Sequence, residues 1–265
     1  MQIERRSGTG LSRPMLPVDV RMIRCSTLLI HWARFNILTD PWFGMTMRGL
    51  RCYRAPGMRP SELPPLDGVL VSHIHPDHFE RGPLDEMRPQ PGAVLFPPGA
   101  LAKLAQPHGP GWAELPPWRT APIGRVEVTA VPARHTGPGP DEVNYVMCFP
   151  GWGCGFFGGD ARLDEDVLRQ VRERFGPMSF ALLPVGGSRI LGRKTVMDAA
   201  DAARAGAILE AKAIVPIHEG GIWMAVPPLS RHPGRAAHLG PEVRKIGSAS
   251  RVVVLKEGEA AALAP

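Results

Sequence analysis

Three histidines and one aspartate fall within six residues, His73-Ile-His75-Pro-Asp77-His78, directly after an apolar β-like run. In an extended segment side chains alternate, so His73 and His75 point to the same side. A turn started at Pro76 can swing Asp77 and His78 toward a second point about one metal-metal distance away. Imidazoles and carboxylates together suit Zn, Fe or Mn better than Ca or Mg. The pattern therefore demands a fold in which a strand runs out into loops at a rim, where further ligands can meet it.

The rest of the chain agrees with a fold of short strands and many loops. Gly and Pro number 30 each, about 23% of the 265 residues, which excludes a coiled coil or helical bundle. At 44% apolar and 21% charged residues, the chain is too hydrophobic and too weakly charged for disorder. β-like runs recur at 22–32, 35–39, 68–73, 93–96, 126–131, 143–149, 153–157, 180–184, 213–218 and 251–255, each bounded by Pro, Gly or Asp. Helical periodicity is clear at 164–175 and 198–212, with Asp164 and Asp198 as N-caps, and a shorter candidate covers 98–105. Strands first, then strands mixed with helices, predict layered α and β elements in one domain over residues 18–265. Residues 1–17 are expected to be a flexible N-terminus, with further mobility near 228–240. Segments 45–66 and 108–122 read as loops.

The formal net charge is +6, and only 5 of the 31 basic residues are Lys. Such a skew reflects genome composition more than a nucleic-acid role, although a basic balance favours anionic partners. Cys25, Cys52, Cys148 and Cys154 form no C-x-x-C pair, so reduced, core-like cysteines are expected rather than a disulfide framework or a thiolate zinc site. No apolar run reaches the length of a membrane span, and the N-terminus lacks the apolar middle of a signal peptide, so a cytoplasmic location is expected.

Three more residues end apolar runs in order along the chain: His135 after Val131-Pro-Ala-Arg, Asp160 after Phe156-Phe-Gly-Gly, and His218 after Ile214-Val-Pro-Ile. With the opening motif they resemble the H-x-H-x-D-H signature and later ligands of the metallo-β-lactamase superfamily. The resemblance implies a four-layer αββα sandwich with a dinuclear metal site. It implies that His73, His75 and His135 bind a first divalent ion, that Asp77, His78 and His218 bind a second, and that Asp160 bridges them. A bridging hydroxide beside Asp77, His78 and Asp160 would then be the nucleophile. Zn is the expected metal, with Mn or Fe open. Position 75 is His, where flavin-partnered diiron members typically carry Glu, which favours hydrolysis over redox chemistry.

Further motifs, Ile37-Leu-Thr-Asp40-Pro-Trp, Val143-Asn-Tyr145 and Ala181-Leu-Leu-Pro-Val-Gly-Gly187, look like the branch holding ascorbate-6-phosphate lactonases and N-acylphosphatidylethanolamine-hydrolysing phospholipase D. In that branch Asp40 would sit beneath the metals and orient a ligand histidine. Glu219 and two glycines follow the last ligand, where members often carry an aromatic and a small residue. The expected reaction is hydrolysis of an ester, lactone or phosphodiester in a small, anionic substrate. The alternatives are an RNA-processing nuclease of the tRNA-maturation type, for which no gripping appendage is visible, and a non-catalytic interaction protein. A homo-oligomer is compatible with either. Arg134, Arg162, Arg189, Arg193 and Lys194 are candidates for gripping phosphate or carboxylate. Trp42 and Phe43 fit either a pocket lip or the core, segment 221–229 fits a pocket wall or flap, and His31, His108, His232 and His238 are not assigned as ligands.

Overall fold

Side-chain alternation separates two faces on every long strand. Val18, Val20 and Met22 turn one way with Leu28, Ile30 and Trp32, while Ile23, Leu29 and Leu38 turn the other. The computed structural model describes residues 16–47, 49–104, 109–135, 142–222, 225–227 and 229–265. Among them, two seven-stranded sheets face each other. The first runs in the order Ala260–Leu263, Val18–Arg24, Thr27–Trp32, Phe35–Thr39, Gly68–Leu70, Val94–Phe96, Trp112–Glu114. The second runs Arg251–Val252, Ala213–Ile217, Phe180–Pro184, Gly153–Phe157, Val143–Phe149, Val126–Pro132, Thr120–Ile123. Each sheet is antiparallel at one side and parallel at the other.

Three apolar layers hold this arrangement. The inner faces of both sheets share one core, from Val20 and Ile30 across to Val128, Tyr145 and Leu182. Helices Glu165–Phe175, Ala199–Ile208 and Leu239–Lys245 cover the outer face of the second sheet through Leu168, Val171, Ala202 and Val243. Helices Arg81–Glu86 and Ala100–Lys103 cover the outer face of the first through Leu84 and Ala100. The result is the expected α/β sandwich in four layers, αββα. Asp164 and Asp198 cap their helices, accepting from Val167 N at 3.3 Å and Asp201 N at 3.1 Å. Among the described residues no helix is long and apolar enough to cross a membrane.

Several expectations are corrected. The run at 22–32 is a hairpin with Cys25 and Ser26 at its turn. Residues 228–240, where described, carry the short strand Ser230–Arg231 and the 3-10 turn Ala236–His238, which leads into the helix Leu239–Lys245; Leu239 and Val243, one helical turn apart, are buried and anchor it. Segment 108–122 supplies two strands, Trp112–Glu114 and Thr120–Ile123. Cys148 and Cys154 are not free thiols: they are register partners across the hairpin of Val143–Phe149 and Gly153–Phe157, and they form a disulfide. Strand register, which no local cysteine spacing displays, makes that pair. Residues 1–15, to which most of the flexible N-terminus was assigned, and His108 lie outside the described residues.

Candidate metal centre

Strand ends assemble the site. Asp40 follows Phe35–Thr39, His73 follows Gly68–Leu70 by three residues, His135 follows Val126–Pro132, Asp160 follows Gly153–Phe157, and His218 follows Ala213–Ile217. All lie at carboxyl ends, the usual place for sites in sheets with parallel strands. Asp40 and His218 both have positive φ, 34° and 47°, as does Cys25 at 55°. Such backbone settings cost energy and collect where surrounding structure holds a functional geometry.

The seven expected ligands converge. His73, His75, His135 and Asp160 offer ligand atoms within 4.8 Å of one another. A second group of the same tightness contains Asp77, His78 and His218, and also Cys25. Asp160 stands between the groups: Oδ1 is 3.6 Å from His73 Nε2, and Oδ2 is 3.0 Å from His135 Nε2, 3.7 Å from His78 Nε2 and 3.8 Å from His218 Nε2. Asp77 Oδ2 lies 3.7 Å from His218 Nε2 and 3.8 Å from His78 Nε2. Gly159, at φ 51°, lets the chain turn into Asp160 where a Cβ would stand 2.8 Å from the Ser72 side chain.

A layer behind the ligands aims them. Asp40 is fully buried and accepts from Ser72 N at 2.7 Å, Ser72 Oγ at 2.7 Å and His78 Nδ1 at 2.6 Å. With Nδ1 thus committed, His78 presents Nε2 to the site. His135 is oriented likewise, Nδ1 donating to Thr195 O at 2.9 Å. His73 Nδ1 meets Ser72 Oγ at 3.0 Å.

Electrostatics follow from packing many ionisable groups out of water. Burial, aided by the surrounding imidazoles, holds His73 well below the ordinary histidine range, and burial also lowers His75. Burial opposes the charged form of His78 too, but Asp160, Asp40 and Asp77 override it and push its pKa up to about 10. Burial likewise works against ionised Asp77, yet His78 and His218 hold its carboxyl far below the carboxylate range. Burial raises Asp40 despite the pull of His78 and Ser72. His78 Nε2 is fully buried and makes no hydrogen bond among the described residues. A buried donor set of this kind, with an unbonded imidazole nitrogen facing carboxylates across 3.7 to 3.8 Å, fits divalent cations.

A cavity of about 420 Å³ opens over His75, Asp77, His135, Asp160 and His218. Met47, Leu50, Ile190 and Val196 give it apolar walls, and Ser188, Thr195, Ser230 and His232 give it polar ones. His232, not expected near the site, is half-buried and bonds through Nδ1 to Ser188 Oγ at 2.8 Å. Its loop is clamped backbone to backbone: Gly234 N donates to Gly186 O, and Gly220 N to Gly234 O, both at 2.8 Å. A Cβ on Gly234 would stand 1.8 Å from Val185 O, so only glycine fits.

None of the five cations expected to grip substrate lines this cavity. Arg134 is 71% exposed and pairs with Asp164 at 3.0 Å, and Lys194 is held by Asp198 and Asp201 at 2.8 and 2.6 Å. Arg162, Arg189 and Arg193 are exposed. Trp42 and Phe43 are buried core residues, and the Arg24 guanidinium stacks 3.7 Å from the Trp42 ring. Of segment 221–229, Ile222 is buried in the small cluster of Trp42 and Cys52, while Trp223, Met224 and Pro228 lie outside the described residues. Cys25, Ser72, Ser188 and His232 are among the site residues that sequence reasoning missed.

Known proteins share this architecture. The family described as beta-lactamase superfamily domain matches residues 35–218. A UPF0173 metal-dependent hydrolase of Methanopyrus kandleri is 29% identical over 234 residues, covering 84% of this chain and 90% of that protein. An N-acyl-phosphatidylethanolamine-hydrolyzing phospholipase D of Caenorhabditis elegans is 25% identical over 186 residues, 61% of this chain and 51% of that one. Among solved structures, a metallo hydrolase of the archaeon Ignicoccus hospitalis superposes with a TM-score of 0.72 at 20% identity, over 92% of this chain and 97% of its own.

Proposed function

Because this chain belongs to the beta-lactamase superfamily domain family and is a metal-dependent hydrolase of that fold, we propose that its two ligand groups hold a pair of divalent cations, zinc foremost. The reaction is hydrolysis of an ester, lactone or phosphodiester in a small substrate seated in the cavity. One observation carries the dinuclear reading: the Asp160 carboxylate lies within 3.8 Å of imidazoles from both groups. When bound, such cations supply Lewis acidity and lower the pKa of water to near neutrality.

The chain's own residues do the rest. Asp40 and the Thr195 carbonyl fix His78 and His135 by their Nδ1 atoms, so their Nε2 atoms face the site. Met47, Leu50, Ile190 and Val196 line the cavity with apolar surface that excludes water and favours an apolar body. Among the described residues no Arg or Lys lines the cavity, so within that lining an anionic group meets the cations and Ser188, Ser230 and His232. A cavity of about 420 Å³ with apolar walls suits a small molecule rather than a polynucleotide.

Protein purified without chelator should carry close to two divalent ions per chain and hydrolyse a generic activated phosphodiester. His73→Ala and Asp160→Ala should each lose metal and lower hydrolysis by at least a hundredfold, about 3 kcal/mol of barrier. Retention of full metal content and activity by both variants would overturn the proposal.

A further inference from the structure

We propose that Cys25 is a further protein ligand of the second cation, its thiolate joining Asp77, His78, His218 and the shared Asp160, an inference that rests on the metal-centre reading above.

Position comes first. Cys25 Sγ belongs to the same group as the ligand atoms of Asp77, His78 and His218, all within 4.8 Å of one another, and the residue is only 3% exposed. His78 Nε2, in that group, is fully buried and makes no hydrogen bond among the described residues, so the cluster has a nitrogen prepared for an ion.

Backbone conformation is the second line. Cys25 opens the two-residue turn between Val18–Arg24 and Thr27–Trp32 with φ at 55°. Tight hairpins reserve that setting for Gly, Asn or Asp, and a Cys there pays a steric cost that a core thiol elsewhere in the chain avoids. The turn is pinned to the site on three sides. His218 N donates to Cys25 O at 3.1 Å, Ser26 Oγ to Gly159 O at 3.3 Å, and Thr39 Oγ1 to Ser26 O at 2.7 Å. These contacts tie Cys25 to the segments that carry His218, Asp160 and Asp40.

Chemistry is the third. The other free thiol, Cys52, is buried in the same small apolar cluster but is absent from the ligand group. Ligation replaces the Cys25 S–H bond with a sulfur-cation bond and releases the proton to solvent. A thiolate is a soft ligand, so the second position should prefer zinc or cobalt to manganese and hold its ion more tightly than oxygen and nitrogen donors alone would.

Cobalt substitution tests this without a substrate. Wild-type protein loaded with Co²⁺ should develop a near-ultraviolet thiolate-to-cobalt charge-transfer band. Cys52→Ser should keep the band; Cys25→Ser should lose it and bind one of its two ions at least tenfold more weakly. If Cys25→Ser fails to fold, the Cys52→Ser spectrum still decides, because Cys148 and Cys154 are joined and Cys25 is then the free thiol remaining. Two bound cobalt ions without the band in wild type, or a band lost in Cys52→Ser, would overturn the assignment of Cys25 and leave the metal centre standing. Failure of wild type to bind cobalt would overturn both.

Discussion

Asp40 governs the site without lining the cavity. Its carboxylate accepts three hydrogen bonds, from Ser72 N, Ser72 Oγ and His78 Nδ1, and an amide in its place would offer one acceptor oxygen and an unwanted donor. Asp40→Asn should therefore weaken metal binding about tenfold to a hundredfold, measured by competition with a chromogenic chelator, with secondary structure by circular dichroism unchanged. This role was expected from the family resemblance of the motif around Asp40, since an Asp-Pro at a strand end by itself reads as a turn. The seven expected ligands were legible because His73, His135, Asp160 and His218 end strand-like runs and, with His75, Asp77 and His78, match the family signature. Cys25, Ser188 and His232 were not, because nothing local marks them. Cys25 reaches the site through a left-handed turn, and His232 through a loop docked by contacts between residues far apart in the chain. The five expected cations do not line the described cavity: their charge suited the chemistry, but their side chains stand in solvent or pair with nearby carboxylates.

Elements with strong local signals came out as expected. Val143–Phe149, Gly153–Phe157 and Phe180–Pro184 occupy the anticipated residues, and Asp164 and Asp198 cap the helices they were expected to cap. Weakly patterned elements escaped: Trp112–Glu114 is a three-residue edge strand, and Leu239–Lys245 contains Gly and Pro and was hidden by its basic composition. The Asp198 cap yields a prediction. Burial opposes its ionised form, but the Lys194 ammonium and neighbouring amides override burial and hold its carboxyl below the usual range. A depressed carboxyl stabilises the fold above its unfolded pKa, and the contribution disappears as pH falls through the lower folded value. Asp198→Ala should thus cost about 1 kcal/mol in urea unfolding at neutral pH. The difference from wild type should shrink once pH drops below about 4.

At the level of the molecule, one side chain joins the two sheets just beneath the site. Tyr145, on Val143–Phe149, has a buried hydroxyl lying 2.9 Å from Val71 O and 3.1 Å from Leu95 O, carbonyls of two neighbouring parallel segments in the opposite sheet. Tyr145→Phe should cost about 1 kcal/mol and lower the Tm by about 2–4 °C, read by calorimetry. Chelation should lower the Tm of wild type further, since an ion bound only to the native state stabilises it by mass action. The glycine clamp at Gly234 sets a different kind of limit. Because backbone meets backbone there, the wall bearing His232 cannot step back to admit a bulkier guest, whereas Met47 and Leu50 line the cavity with replaceable side chains from a separate short hairpin. Divergence in what related enzymes accept should accumulate at those two positions, one side chain at a time, while the loop bearing His232 keeps its length.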